Sequence, residues 1–598
     1  MAAHRECRRA VAFRRKGSMP CGSRCSLAPA GITEISSPHC ESEDASMSIE
    51  KNEDDIGRRD FLRKGAAGVG ASALLGFGVQ EVEAQRGGGQ RWDMTADFVT
   101  IGAGTAGLAG AVSALEHGAS VIMVEENFDI GGHGMVSGGN VHLGGGTSRQ
   151  KKFGIQDSPD QVYNDWVRYD HRESRYSDRD LVRAFADENA PAFEFLIANG
   201  VQFTDEATGP GSASTVRRQG TAVQWPIKSE IMTSEPSRRG SGIVRALEKA
   251  ARAKGAKILL KHKMTSIVRE NPSSGRALGI TATTEGRALR IEAKKGVLVA
   301  TGGHTSNVAF RRMFDPRLTE EYQVAGEPYS RQPGDGELAA MAIGAVLWGT
   351  ASQTVEAGAW LNKTAYIGCR WGYSSLHWPA DSPIFDRIKA TGLANVDWQN
   401  VILVNQSGRR FYNELATGHE FLNAALGYSG NSTKLNGGGP IWAIFDADAV
   451  TRQKWDPRPP NVDPEYFFSA DTIQELTRAI ANPYQTRPMP GAVLQDTVTK
   501  YNSFVDAGTD TDFKKPAPRY KIQKPPFYAA WSTPILHDSL CGLRTNAKAQ
   551  TLDMQGQVIP GLYCAGESQG GFAQHGLGRA IVFGRIAGRE AAQSRART

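Results

Sequence analysis

The sequence predicts an α/β fold built on a parallel sheet, and three observations predict it. An apolar run rich in strand formers, Ala96-Asp97-Phe98-Val99-Thr100-Ile101, leads directly into Gly102-Ala103-Gly104-Thr105-Ala106-Gly107. A helical stretch from Leu108 to His117 follows, and Ser120-Val121-Ile122-Met123-Val124 reads as a second strand ending on Glu125. Far along the chain, Val297 to Gly303 and Gly561 to Glu567 repeat the order of strand and glycine-rich turn. Strand, turn, helix and strand in one short unit form a crossover, which joins parallel neighbours.

The elements can be taken in order. Residues 1–46 are rich in Arg, Ser and Cys and lack apolar periodicity; they read as a mis-called start or a disordered tail. Four of the seven cysteines, Cys7, Cys21, Cys25 and Cys40, lie there. Residues 47–84 read as an export signal. Gly57-Arg58-Arg59-Asp60-Phe61-Leu62 carries an arginine pair, Gly65 to Val79 is weakly apolar, and Val82-Glu83-Ala84 offers a cleavage site. This is a twin-arginine pattern, and it predicts a folded cargo delivered to a bacterial periplasm. Gly87-Gly88-Gly89 then links to the mature domain.

The turn at Gly102 has the spacing of a Rossmann-like dinucleotide site. Gly102 permits the tight turn, Gly104 lets the backbone approach a pyrophosphate, and Gly107 permits close helix–strand packing. The helix that starts at Thr105 and Ala106 presents free N–H groups to the anion. Glu125 accepts ribose hydroxyls and repels a 2′-phosphate, which disfavours NADP. Further glycine-rich segments follow: Gly131-Gly132, Ser137-Gly138-Gly139, Ala300-Thr301-Gly302-Gly303 and Gly566-Glu567. Several distant close approaches suit one long ligand, so FAD is the expected cofactor.

With these motifs in place, the chain resembles the flavoprotein family of fumarate reductase and succinate dehydrogenase, over about residues 93–590. That family includes soluble fumarate reductases, 3-ketosteroid dehydrogenases and tricarballylate dehydrogenase. The strongest parts are the fingerprint at Gly102, Ala300-Thr301-Gly302-Gly303, and Ala565-Gly566-Glu567 with Ile581 and Phe583-Gly584-Arg585. The resemblance implies that Glu567 contacts the flavin. It also implies an α+β capping domain inserted into the FAD-binding domain. The expected division is 93–349 for the first FAD-binding part, 350–515 for the cap and 516–598 for the return to the FAD-binding domain.

The chemistry this implies is reduction or formation of a C=C bond beside a carbonyl or carboxylate. Such a reaction needs a proton carrier and donors for the developing charge. The run Gly408-Arg409-Arg410-Phe411-Tyr412-Asn413-Glu414 resembles the family's arginine segment, which implies that Arg410 handles the proton. A plain ion pair with Glu414, four residues on, is the competing reading. The family's second His in a late His-His pair is replaced: the run here is His537-Asp538. Its His-Pro-Thr has no counterpart in Ala351 to Glu356. His575 and Arg579 are candidate cations, and Tyr528 is a candidate carbonyl donor. Trp360, Tyr366, Trp371, Tyr373, Trp378 and Trp398 make the capping region aromatic, as core or as pocket.

An acid at position 538 repels a dicarboxylate, so a bulky enone or ring ketone competes favourably with fumarate. A flavin oxidase using O₂ is a further class, and a non-catalytic electron carrier another. Electrons must pass to or from a separate cytochrome, quinone or O₂, because no Cys-x-x-Cys-His attaches a haem to this chain. His133 and His142 lie where membrane-complex relatives attach FAD covalently. The net charge of +6 is too mild, and too interspersed, to indicate nucleic acid. No long apolar run indicates a membrane span, and no Cys/His spacing indicates a metal.

Overall fold

The computed structural model describes residues 91–596 apart from 169–176, 208, 210–213, 226–238, 349–358, 371–382, 385–386, 388–391, 395–396, 417–424, 426–438, 486 and 575. The chain divides into two units, 1–82 and 83–598, and every described residue belongs to the second. The expected N-terminal tail, the export signal, Ala351 to Glu356, Trp371, Tyr373, Trp378 and His575 lie outside the described residues.

The chain opens with strand β1 (Met94–Ile101), helix α1 (Thr105–Glu116) and strand β2 (Val121–Val124). Strand β3 (Lys257–Leu259) and the long β4 (Arg287–Val299) follow. β1 lies parallel to β2 on one side and to β4 on the other, with Ile101 beside both Val124 and Val299. The glycine-rich turns that leave β1 and β4 therefore emerge at one edge of the sheet, as ligand sites in open parallel sheets do. Helix α2 (Asp335–Ala342) braces that edge. Its Glu337 Oε1 lies 2.9 Å from His304 Nδ1, both side chains being buried, and this ties α2 to the loop after β4. Burial disfavours a charged His304, yet Glu337 lifts its pKa to about 10.

The middle of the chain builds a second layer. Strands β5 (Ile402–Val404), β6 (Trp442–Asp446) and β7 (Phe467–Ala470) precede helix α3 (Gly491–Ala507). They join strand β8 (Phe527–Trp531) in an antiparallel sheet of order β5-β6-β8-β7. Side chains alternate across it. Ile402, Val404, Trp442 and Ile444 pack with Leu494, Val498 and Tyr501 of α3. Leu403, Ala443, Phe445 and Tyr528 pack on the other face with Leu318 and Tyr322. This is the expected α+β insertion in composition. The expected boundary at 515 needs correction for the sheet, because β8 pairs residue for residue with β6. Backbone pairing rather than sequence position decides which layer a strand joins.

The chain then returns through β9 (Ile535–Ser539), β10 (Gln550–Leu552), β11 (Val558–Cys564) and helix α4 (Leu577–Gln593). β11 lies parallel to β4, so the main sheet runs β10-β11-β4-β1-β2-β3. Helix α4 lies against α1 with almost no space between backbones. A Cβ on Gly584 would sit 2.3 Å from the Ala106 carbonyl oxygen, and one on Gly588 would sit 2.1 Å from that of Gly110. The middle of α4 is thereby held beside the start of α1. No described helix is long and apolar enough to cross a membrane.

Candidate active site

The turns after β1, β2, β4 and β11 open into one cavity of about 480 Å³. The first turn is pinned from both sides. Gly102 has φ 97 and donates its N–H to Val124 O at 2.8 Å. A Cβ on Gly107 would lie 2.0 Å from Gly102 O, so the third glycine allows the close packing inferred from its spacing. Gly104, Thr105 and Ala106 line the cavity at the N-terminus of α1. Thr105 Oγ1 is buried and finds no hydrogen-bond partner among the described residues. An orphaned hydroxyl at a helix N-terminus fits a diphosphate.

Glu125 closes the adjoining end. Its Oε2 accepts from Ala103 N–H at 2.8 Å and its Oε1 from Asn127 N–H at 3.0 Å. Burial pushes its pKa up. Gly131, Gly132, Ser137, Ala300, Thr301, Gly302, Gly566 and Glu567 also line the wall. Five other expected contacts are absent from it: Gly107, Gly138, Gly139, Gly303 and Ile581. Their places are structural. Gly139 packs against Arg239, Gly303 against Ser539, and Ile581 is buried inside α4.

At the other end, four acid–base groups converge. One oxygen or nitrogen from each of His133, Asp538 and Glu567 lies within 4.8 Å of the others, a set that could hold a cation or share protons. His133 Nδ1 stands 3.3 Å from Glu567 Oε1. The His537 ring stacks on the His133 ring at 6.0 Å, and its Nδ1 is 3.1 Å from Asp538 Oδ2. Burial raises the Glu567 pKa and Asp538 raises it further. Burial opposes a charged His133, but Glu567 pulls its pKa up to about 9.

Arg579 lies buried beside this group, under the influence of Glu567 and Asp538, without lining the cavity. Its Nη1 donates to Phe572 O at 2.8 Å, while its Nε and Nη2 have no hydrogen-bond partner among the described residues.

Two sequence expectations are corrected here. Arg410 is not on the cavity wall. Its Nε and Nη2 donate to Glu414 at 2.8 and 2.9 Å, and Nη2 also donates to Asp510 at 2.9 Å. Tyr501 and Phe513 flank its guanidinium. Burial works against that charge, but Glu414 and Asp510 raise its pKa well above the ordinary value. A guanidinium committed to two buried carboxylates in the cap core has no substrate to protonate. Tyr528 is likewise in the cap core, stacked on Phe445 at 5.2 Å.

Sequence reasoning missed His262, Lys263, Tyr329, Arg331, Gln332 and Arg387, which all line the cavity. Most sit in loops without a motif. Gln332 immediately precedes Pro333-Gly334-Asp335-Gly336, a turn already conspicuous in the sequence. Among described residues, Arg387 is the cavity's one contribution from 350–515.

A parallel sheet, a glycine-rich turn leading from its first strand into a helix, and a capping layer define the fold of an FAD-dependent oxidoreductase. The family model described as "FAD binding domain" matches residues 97–579. The chain belongs to that family, within the FAD-dependent fumarate reductase and succinate dehydrogenase flavoproteins. It is 27% identical over 507 residues to "Fumarate reductase (cytochrome)" of Shewanella frigidimarina, covering 83% of this chain and 77% of that one. It is 28% identical over 511 residues to "Urocanate reductase" of Eggerthella lenta, covering 83% and 74%. The crystal structure of 3-ketosteroid delta1-dehydrogenase from Sterolibacterium denitrificans shares the fold, with TM-score 0.61, 21% identity and coverage of 83% and 99%. The cofactor is FAD, and the reaction class is oxidoreduction of C=C and CH–CH bonds.

Proposed function

We propose that this protein reduces or forms the C=C bond of a neutral enone or ring ketone. The observation that carries this reading is the carboxylate pair Asp538 and Glu567 in the cavity wall. A substrate carboxylate entering beside it meets like charge in a poorly solvated place, which costs several kcal/mol. A carbonyl meets no such penalty.

Bound FAD supplies hydride exchange with the substrate carbon. The protein's own groups do the rest. Gly104, Thr105, Ala106 and Glu125 hold the dinucleotide, and Gly131, Gly132, Ser137, Thr301, Gly302, Gly566 and Glu567 complete its cradle. Arg387 brings a cation from the cap to the carbonyl oxygen, where negative charge gathers. His537, close to the Asp538 carboxylate, gives or takes the proton. The electron partner is a separate carrier or O₂, and the twin-arginine pattern at Arg58-Arg59 places the mature enzyme in the periplasm.

The test is Asp538→Asn. The variant is expected to gain at least about tenfold in kcat/KM for unsaturated carboxylates, because a like charge worth more than about 1.4 kcal/mol is removed. In the same assay Arg387→Ala is expected to lose about a hundredfold in kcat on the enone. No gain on carboxylates in Asp538→Asn would remove the basis of the substrate reading.

A further inference from the structure

Gln332 is the most constrained polar side chain in the cavity wall, and no motif points to it. It is 2% exposed. Its backbone is tied to Ser306 twice, through Gln332 N–H to Ser306 Oγ at 2.9 Å and Ser306 N–H to Gln332 O at 2.9 Å. Thr305 Oγ1 donates to Gln332 Oε1. The ionised Glu567 carboxylate at the other end of the amide can only accept, and this fixes which way the amide points. The amide nitrogen then faces the acid–base cluster. It donates to Glu567 Oε2 at 2.6 Å and lies 2.8 Å from His133 Nδ1.

The second contact has a consequence for the ring. An amide N–H can bond to Nδ1 only if that nitrogen is unprotonated. The same Nδ1 faces Glu567 Oε1 at 3.3 Å, an arrangement that favours a proton on it. The two demands compete for one nitrogen. With the amide bond made, His133 is neutral and its proton is on Nε2. With the ion pair made, His133 is charged and one Gln332 N–H loses its acceptor. The other charged or titratable groups facing the ring are Asp538 and His537 from β9, and Arg579 acts on the carboxylates from α4. Asp538 and Glu567 favour the charged ring, whereas burial and the Gln332 amide oppose it.

We propose that Gln332 is a positioning residue that governs the protonation of His133, and so the net charge that the cluster His133, Glu567 and Asp538 presents to the cavity. The inference stands on the geometry around Gln332 and does not depend on the substrate proposed above.

The test is a pH titration by NMR of the FAD-loaded protein carrying isotope-labelled histidine, with His133→Asn identifying the resonance. Gln332→Met removes the amide hydrogens without adding charge, and Gln332→Glu replaces them with an acceptor. Above its titration midpoint, near pH 9, His133 in the unaltered protein is expected to show the Nε2–H form. Its titration midpoint should rise by about one pH unit in Gln332→Met, the worth of one lost hydrogen bond to the neutral ring. It should rise further in Gln332→Glu. FAD content measured alongside shows which variants are folded, and either alone suffices. A purely structural glutamine would change FAD content and leave the midpoint in place. A midpoint unmoved in the folded variants, or a neutral ring that carries its proton on Nδ1 in the unaltered protein, would overturn the assignment.

Discussion

Arg410→Ala is expected to destabilise the capping layer without selectively ending chemistry. The substitution strands Asp510 and leaves Glu414 to Lys515, whose Nζ is 3.3 Å from Glu414 Oε2. Removing one partner of a buried ion pair costs about 3–5 kcal/mol, because the remaining charge stays buried without compensation. Denaturant unfolding followed by the fluorescence of Trp442 and Trp531, both buried in the cap sheet, measures the loss. Turnover per folded molecule should stay near that of the unaltered enzyme. A variant of unchanged stability that had lost all turnover would restore the catalytic reading of the arginine segment.

Gly107→Ala is expected to cut FAD affinity by about ten- to a hundredfold, the effect of about 1–3 kcal/mol of overpacking. The added methyl would lie 2.0 Å from Gly102 O, a backbone atom in the turn itself. Nothing flexible can yield there. The turn must move away from α1, and Gly104, Thr105 and Ala106 move with it. Titrating apoprotein with FAD by flavin fluorescence checks this, and an unchanged Kd would show that the turn is not the dinucleotide anchor.

The parallel sheet and much of the cofactor cavity were legible because glycine-rich turns leave a local signature. Gly102, Gly104 and Gly107 are neighbours in sequence, and Gly102 and Gly107 each have a backbone reason to be glycine. Gly139 and Gly303 carry the same signature for a different reason, close packing against Arg239 and Ser539, and sequence does not separate the two uses. The cluster of His133, Gln332, Asp538 and Glu567 was only half visible. Its members come from four distant segments, and only folding shows that they meet. Arg410 misled for the converse reason. A basic residue four positions before Glu414 has one pattern whether it serves substrate or holds the cap together, and Asp510, the partner that decides, is 100 residues away.

The account's central claim is that the cavity serves a neutral carbonyl substrate rather than an unsaturated dicarboxylate. The most direct measurement is anaerobic reoxidation of the reduced holoenzyme. A 3-keto-4-ene steroid is added to one cuvette and fumarate to another, and the flavin absorbance is followed. Rapid return of oxidised flavin colour is expected with the enone and none with fumarate. Reoxidation by fumarate with no response to the enone would contradict that claim, and would mean that other cations in the cavity outweigh Asp538 and Glu567.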